Sequence, residues 1–115
     1  MSAISDIQRL VECESPTEDL AACHAVIDLA VEISNQVLPT SAEKIIENNR
    51  PIFWWGAKEP KILLLCHLDT VWPKASFQPT WQVDGDVATG PGVFDMKAGF
   101  IQALYSLAGI SNAQD

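Results

Sequence analysis

Ile4, Ile7, Leu10 and Val11 recur every three to four positions, which predicts a short amphipathic helix over the first dozen residues. The run Ser15-Pro16-Thr17-Glu18 then reads as the start of a second helix. Ser15 can accept from an orphan N–H, Pro16 suits the first helical position and Glu18 can complete a capping box. Leu20, Cys23, Val26, Ile27, Ala30, Ile33 and Val37 make a broad apolar stripe, so this helix is predicted to run to about Val37 and stop before Pro39. From Thr40 the period changes. Ala42–Glu47 and Ile52–Trp55 read as strands, the second bounded by Pro51 and Gly56. Ile62-Leu63-Leu64-Leu65-Cys66 is an unbroken apolar run of strand length, the pattern of a strand covered on both faces in a parallel sheet. Trp81–Val83 and Asp86–Ala88 flank Asp84-Gly85, a hairpin signal. A last helix is predicted from about Met96 to Ala108, with Met96, Phe100, Ala103, Leu104 and Leu107 inward and Gly109 as its stop. The pattern as a whole predicts an α/β fold, a twisted, mostly parallel or mixed sheet flanked by helices.

Length and composition narrow the classes. The 115 residues suit one domain, and 48% apolar content argues against disorder. No apolar run approaches the roughly 20 residues of a bilayer span, and Met1–Asp6 lacks the basic and apolar segments of a secretory signal. The expectation is a soluble, cytoplasmic protein. Fifteen acids against seven bases give a net charge of −8, which disfavours nucleic acid and anionic membranes as partners. Cys13, Cys23 and Cys66 are an odd number without metal-finger spacing, so no disulfide is expected.

Candidate chemistry concentrates in two places. The first is His67-Leu68-Asp69, at the end of the apolar run. Residues i and i+2 of an extended chain share a side, so His67 and Asp69 point the same way. A ligating histidine commonly donates its second ring N–H to a carboxylate, which makes this pair readable as a metal ligand with its orienting partner. A buried His–Asp hydrogen bond explains the same residues, and from them alone the two readings stand level. The second place is Gly90-Pro91-Gly92-Val93-Phe94-Asp95-Met96-Lys97-Ala98-Gly99. Asp95 alone would be an N-cap more often than a ligand. The glycine-rich approach and a costly Gly99 in the first helical turns both point to a constrained site. Cys66 beside His67 is not a nucleophilic pair, because successive strand residues face opposite sides. His24 is expected to be structural or solvated. Trp54 and Trp55 are expected to pack on a sheet rather than form a ligand platform.

Taken together, His67-Leu68-Asp69-Thr70-Val71, the Asp84-Gly85-Asp86 hairpin and the 90–99 motif resemble the co-catalytic zinc hydrolases. That family includes glutamate carboxypeptidase, aminoacylase, acetylornithine deacetylase and succinyl-diaminopimelate desuccinylase. The Gly-Pro-Gly approach and Thr70-Val71-Trp72 look nearest to the glutamate carboxypeptidase branch. The resemblance implies the N-terminal part of a zinc-exopeptidase-like catalytic domain over residues 1–115. It makes His67 a zinc ligand, Asp95 the carboxylate bridging two metals, and Asp69 the catalytic-site residue that orients the imidazole. It also implies a cis Asp95–Met96 peptide. Zinc is the implied metal, two ions in the complete site, with cobalt as an alternative. The implied substrate is a small peptide or N-acyl amino acid, cleaved at an amide next to a free carboxylate.

Other parts of the family pattern are not matched. The Glu-Glu pair that supplies the general base and a metal ligand has no counterpart, since the last glutamate is Glu59. The lid or dimerisation domain and the second half of the metal shells also have none. The chain alone is therefore expected to be inactive. A non-catalytic module with the same fold and no metal is the competing expectation, with self-association or a partner chain meeting an exposed sheet edge.

Overall fold

The computed structural model describes residues 2–115, and its three helices and two small sheets form an α/β domain. Helix α1, Ala3–Glu12, begins at Ser2, whose side chain accepts from Ser5 N–H while Ser5 returns a bond to Ser2. Its inward face is Ile7, Leu10 and Val11 with Asp6, while Ile4 stays exposed. Asp6 is buried too; the Tyr105 hydroxyl donates to its Oδ2 at 2.6 Å, while its Oδ1 has no hydrogen-bond partner.

Helix α2, Leu20–Val37, buries the middle of the predicted stripe, Cys23, Val26, Ile27, Ala30 and Ile33, while Leu20 at its start is exposed and Val37 at its end half-buried. Its start differs from the prediction. Asp19, not Ser15, is the N-cap and accepts from Ala22 N–H at 3.0 Å. Ser15–Thr17 are instead drawn into extended pairing with 68–70. Thr70 N–H donates to Ser15 O at 2.9 Å, Thr17 N–H donates to Thr70 O at 3.0 Å, and Pro16 and Thr70 form a parallel bridge. A long-range ladder has overridden a local capping signal.

Strands β1, Glu43–Glu47, and β2, Arg50–Trp54, form an antiparallel hairpin with Glu47 opposite Arg50. Asn48 and Asn49 turn it with φ of 52° and 66°, the left-handed region asparagine tolerates. Phe53 of β2 meets Phe100 edge-to-face at 5.1 Å, which joins the hairpin to the helical core. A second hairpin comprises β3, Gln82–Asp84, and β4, Val87–Thr89. Asp84 pairs with Val87, so the turn is Gly85-Asp86, one residue later than predicted.

The expected buried strand over 62–66 is not found. Ile62 and Leu65 are 81% and 87% exposed, and among the described residues no strand pairs with this segment. An all-apolar run has no polar face to give to water, so it needs cover on both faces and both edges. Neither is present here, and the sheets are two antiparallel ribbons rather than a mostly parallel one. The chain turns inward only at Leu68, which is buried.

Helix α3, Ala98–Ala108, starts two residues later than predicted because Asp95 and Met96 are not helical. Its core residues are Phe100, Ile101 and Leu104, with Ile101 an addition to the predicted set. The three helices, β2, Leu38 and Leu68 share one core. Among the described residues no helix is long and apolar enough to cross a membrane.

Candidate functional site

Three segments distant in sequence meet at the site: 15–17, 67–70 and 90–97. The first two are joined by the parallel pairing just described, and Ser15 Oγ strengthens it by donating to Leu68 O at 2.6 Å. Because Ser15 and Leu68 are both buried, the backbone on either side of Leu68 is held fast. That pins His67 and Asp69, which flank it.

The third segment reaches the site through close backbone contact. A Cβ on Gly92 would stand 2.3 Å from Thr70 Cγ2, and Gly92 has φ of 75°, so only glycine fits. A Cβ on Gly90 would stand 2.5 Å from Val11 Cγ1. The glycine-rich approach therefore has a steric cause. Gly99 does not, since the nearest atom to its added Cβ is Met96 Cε at 3.5 Å. From Val93 to Lys97 the chain makes one wide turn, closed by Lys97 N–H donating to Gly92 O at 2.9 Å. The Asp95–Met96 peptide within it is cis.

These constraints bring the candidate residues together. His67 Nε2 lies 2.9 Å from Asp95 Oδ1. His67 Nδ1 lies 3.1 Å from Asp69 O and 3.2 Å from Asp69 Oδ1. Met96 Sδ accepts from His67 N–H at 3.4 Å. Both ring nitrogens thus face acceptors only, an arrangement that suits the doubly protonated ring. Partial burial pulls the His67 pKa down, but the Asp69 carbonyl and the Asp95 and Asp69 carboxylates outweigh it, and the net shift is upward.

Thr17 completes the chain of contacts. Its hydroxyl lies 2.6 Å from Asp69 Oδ2, to which it donates, and so turns the other carboxylate oxygen toward the imidazole. The sequence reading missed Thr17, because a threonine 50 residues upstream looked like part of a helix start. Lys97 is a second unassigned residue: it is fully buried and donates to Leu10 O at 2.7 Å and Cys13 O at 3.1 Å.

The site opens into a cleft of about 630 Å³. Beside His67, Asp69 and Asp95, its wall includes Val71, Trp72, Phe77 and Phe94. Trp72 and Phe77 meet edge-to-face at 4.9 Å.

Other candidates fall elsewhere. His24 Nε2 contacts Asn49 O at 3.1 Å on the β1–β2 turn. The indole N–H groups of Trp54 and Trp55 donate to Gly56 O and to Thr40, and the Lys58 ammonium lies over the Trp54 ring, 5.5 Å from its centre. Burial pushes the Cys66 thiol up, the reverse of nucleophile activation.

The fit to a metal ion can be judged from the donors. Nε2 and Oδ1 converge from separate loops onto one point at the cleft mouth, and Nδ1 is engaged by Asp69. An imidazole nitrogen and a carboxylate oxygen are donor types that divalent metal ions take, and here they stand at hydrogen-bond distance. The set is only part of a shell. Among the described residues no group of three or more His, Cys, Asp or Glu is placed to hold a metal. No family model, curated protein or solved structure matches this chain.

Proposed function

We propose that the chain carries part of the metal centre of a metal-dependent hydrolase of the carboxypeptidase or N-acyl-amino-acid amidohydrolase type. The observation that carries the reading is the convergence of His67 Nε2 and Asp95 Oδ1 at 2.9 Å while Asp69 holds the other ring nitrogen. In this reading His67 and Asp95 bind zinc or cobalt and Asp69 orients His67 in the tautomer that leaves Nε2 free. Two donors form part of a catalytic shell, which takes about three protein ligands and an open position. Zinc, when bound, supplies a Lewis acid that polarises an amide carbonyl and lowers the pKa of water. Val71, Trp72, Phe77 and Phe94 offer apolar surface beside the pair for the body of a peptide or N-acyl amino acid. The resemblance to the co-catalytic zinc hydrolases, near glutamate carboxypeptidase, supports the same substrate class. In this reading the protein acts in the cytoplasm.

Calorimetric titration with zinc at neutral pH tests the reading, followed by N-acetylglutamate titrated into the loaded protein. Zinc binds, and His67→Ala and Asp95→Ala each weaken it at least tenfold and abolish N-acetylglutamate binding. Equal zinc affinity in all three proteins overturns it.

The exposed Ile62–Leu65 ribbon favours a second reading, a metal-free interaction module that pairs this segment with another strand. A chain that self-associates through 62–65, ignores zinc and is indifferent to chelator supports it.

A further inference from the structure

Asp95 presents a problem of placement. Its side chain is 79% exposed, so packing around the carboxylate cannot hold it against His67. Its position must be set by what anchors the chain on either side. On the N-terminal side the anchors are steric: Pro91 is fully buried, Gly90 lies against Val11 and Gly92 against Thr70. On the C-terminal side the anchor is Lys97, with 0% exposure and an ammonium inserted between the carbonyls of Leu10 and Cys13.

Each flank therefore has a contact with the last turn of α1, Gly90 through Val11 and Lys97 through Leu10 and Cys13. A helix ends with carbonyls that have no partner inside the helix. Lys97 supplies one from 84 and 87 residues away, and a cation at this end also suits the helix dipole. If the position needed only filling, a methionine or leucine would do so without the desolvation that a buried ammonium incurs. The charge has two specific acceptors, and they tie the loop at one spacing and one orientation.

We propose that Lys97 is a positioning residue for the His67–Asp95 pair: its buried ammonium ties the 90–97 loop to the C-terminal turn of α1, which sets where Asp95 stands. The metal-related part of this inference rests on the reading given under Proposed function. The placement of Asp95 against His67 does not. Leu10, Val11 and Cys13 belong to the site in this account, although none of them lines the cleft.

The test uses the whole chain and reads the His67 ring directly. Nitrogen-15 spectra of the imidazoles, assigned with His24→Gln, report the His67–Asp95 contact without metal. In Lys97→Met the His67 ring resonances move to those of a free histidine and the Nε2 proton exchanges too fast to observe. The ring signals of Phe53 and Phe100 stay in place, because that contact does not involve the loop. Lys97→Gln, which keeps two N–H donors one atom short of the lysine's reach, keeps part of the His67 signature, a rescue that simple volume-filling would not produce. Zinc affinity falls at least tenfold in Lys97→Met and less in Lys97→Gln.

A folded Lys97→Met with an unchanged His67 ring spectrum overturns the proposal. If Lys97→Met does not fold, the unsubstituted chain and Lys97→Gln together decide. A slowly exchanging lysine ammonium signal in contact with Leu10 and Cys13, together with weakened His67 signals in Lys97→Gln, upholds the proposal, and the lack of either overturns it. Should zinc affinity prove independent of His67 and Asp95, the hydrolase reading fails while the metal-free ring spectrum still judges Lys97.

Discussion

Ser15→Ala is a sharp probe of how the site is assembled, because it removes one hydroxyl and no packing of consequence. Ser15 is fully buried, and its Oγ donates to Leu68 O at 2.6 Å. The backbone bond from Thr70 N–H to Ser15 O survives the change. What is lost is the partner of a buried carbonyl, which costs about 1–3 kcal/mol, so about 2 kcal/mol is expected. For a domain of this size that is a fall in Tm of about 8 °C. Urea and thermal unfolding followed by circular dichroism measure it, with Ser41→Ala, an exposed position, as the control expected within about 0.5 kcal/mol of the parent. The loss should be accompanied by faster amide exchange at Thr70 and Thr17, whose bonds belong to the same pairing. A Ser15→Ala chain within about 0.5 kcal/mol of the parent would refute the claim that this pairing holds the His67 and Asp69 backbone.

Gly92→Ala and Gly85→Ala share a positive φ, but only Gly92 has an atom, Thr70 Cγ2, 2.3 Å from the added Cβ. Gly85→Ala is expected to cost about 1 kcal/mol and Gly92→Ala several times as much, with loss of the His67–Asp95 contact by NMR. Equal effects would argue against the close approach. Asn49→Val places a β-branched residue at φ of 66°, and should destabilise the β1–β2 hairpin by about 1–2 kcal/mol in urea unfolding, whereas Asn49→Gly should not. Asp19 caps α2, and its bond from the Ala22 backbone and the nearby Lys74 hold its pKa below the ordinary carboxylate value. Since the folded pKa is the lower one, this stabilisation is present above the unfolded pKa and is lost as pH falls through the folded value. On acidification the protection of the Ala22 amide, its exchange corrected for the intrinsic rate at each pH, should therefore fall several-fold more in the parent than in Asp19→Asn.

The helices were legible because their signal is local. The stripe from Cys23 to Ile33 and the pair Phe100 and Leu104 needed only a 3.6-residue period to be placed on a buried face. The second hairpin was legible for a similar reason, although its turn fell one residue later than Asp84-Gly85 suggests; β1 and β2 were legible as strands, but not as the hairpin they form. Ser15 and Pro16 show where local reasoning fails. Their helix-start chemistry is real, but pairing with Thr70, more than 50 residues away, uses the same groups. Ile62–Leu65 fails differently: its composition states that it should be covered and says nothing about by what.

At the site, His67, Asp69 and Asp95 could be named because their spacing and the surrounding glycines form a recognisable pattern. The structure brings all three together. Thr17 and Lys97 could not be named, since each acts through a contact made only once the chain has folded.

The central claim is that His67 and Asp95 converge to share a metal ion. Anomalous diffraction at the zinc edge, from crystals of the unsubstituted chain equilibrated with zinc, tests it most directly. The account predicts a peak within about 2 Å of both His67 Nε2 and Asp95 Oδ1, with Nδ1 still on Asp69. Zinc peaks only at other residues, with His67 still hydrogen-bonded to Asp95, would contradict it.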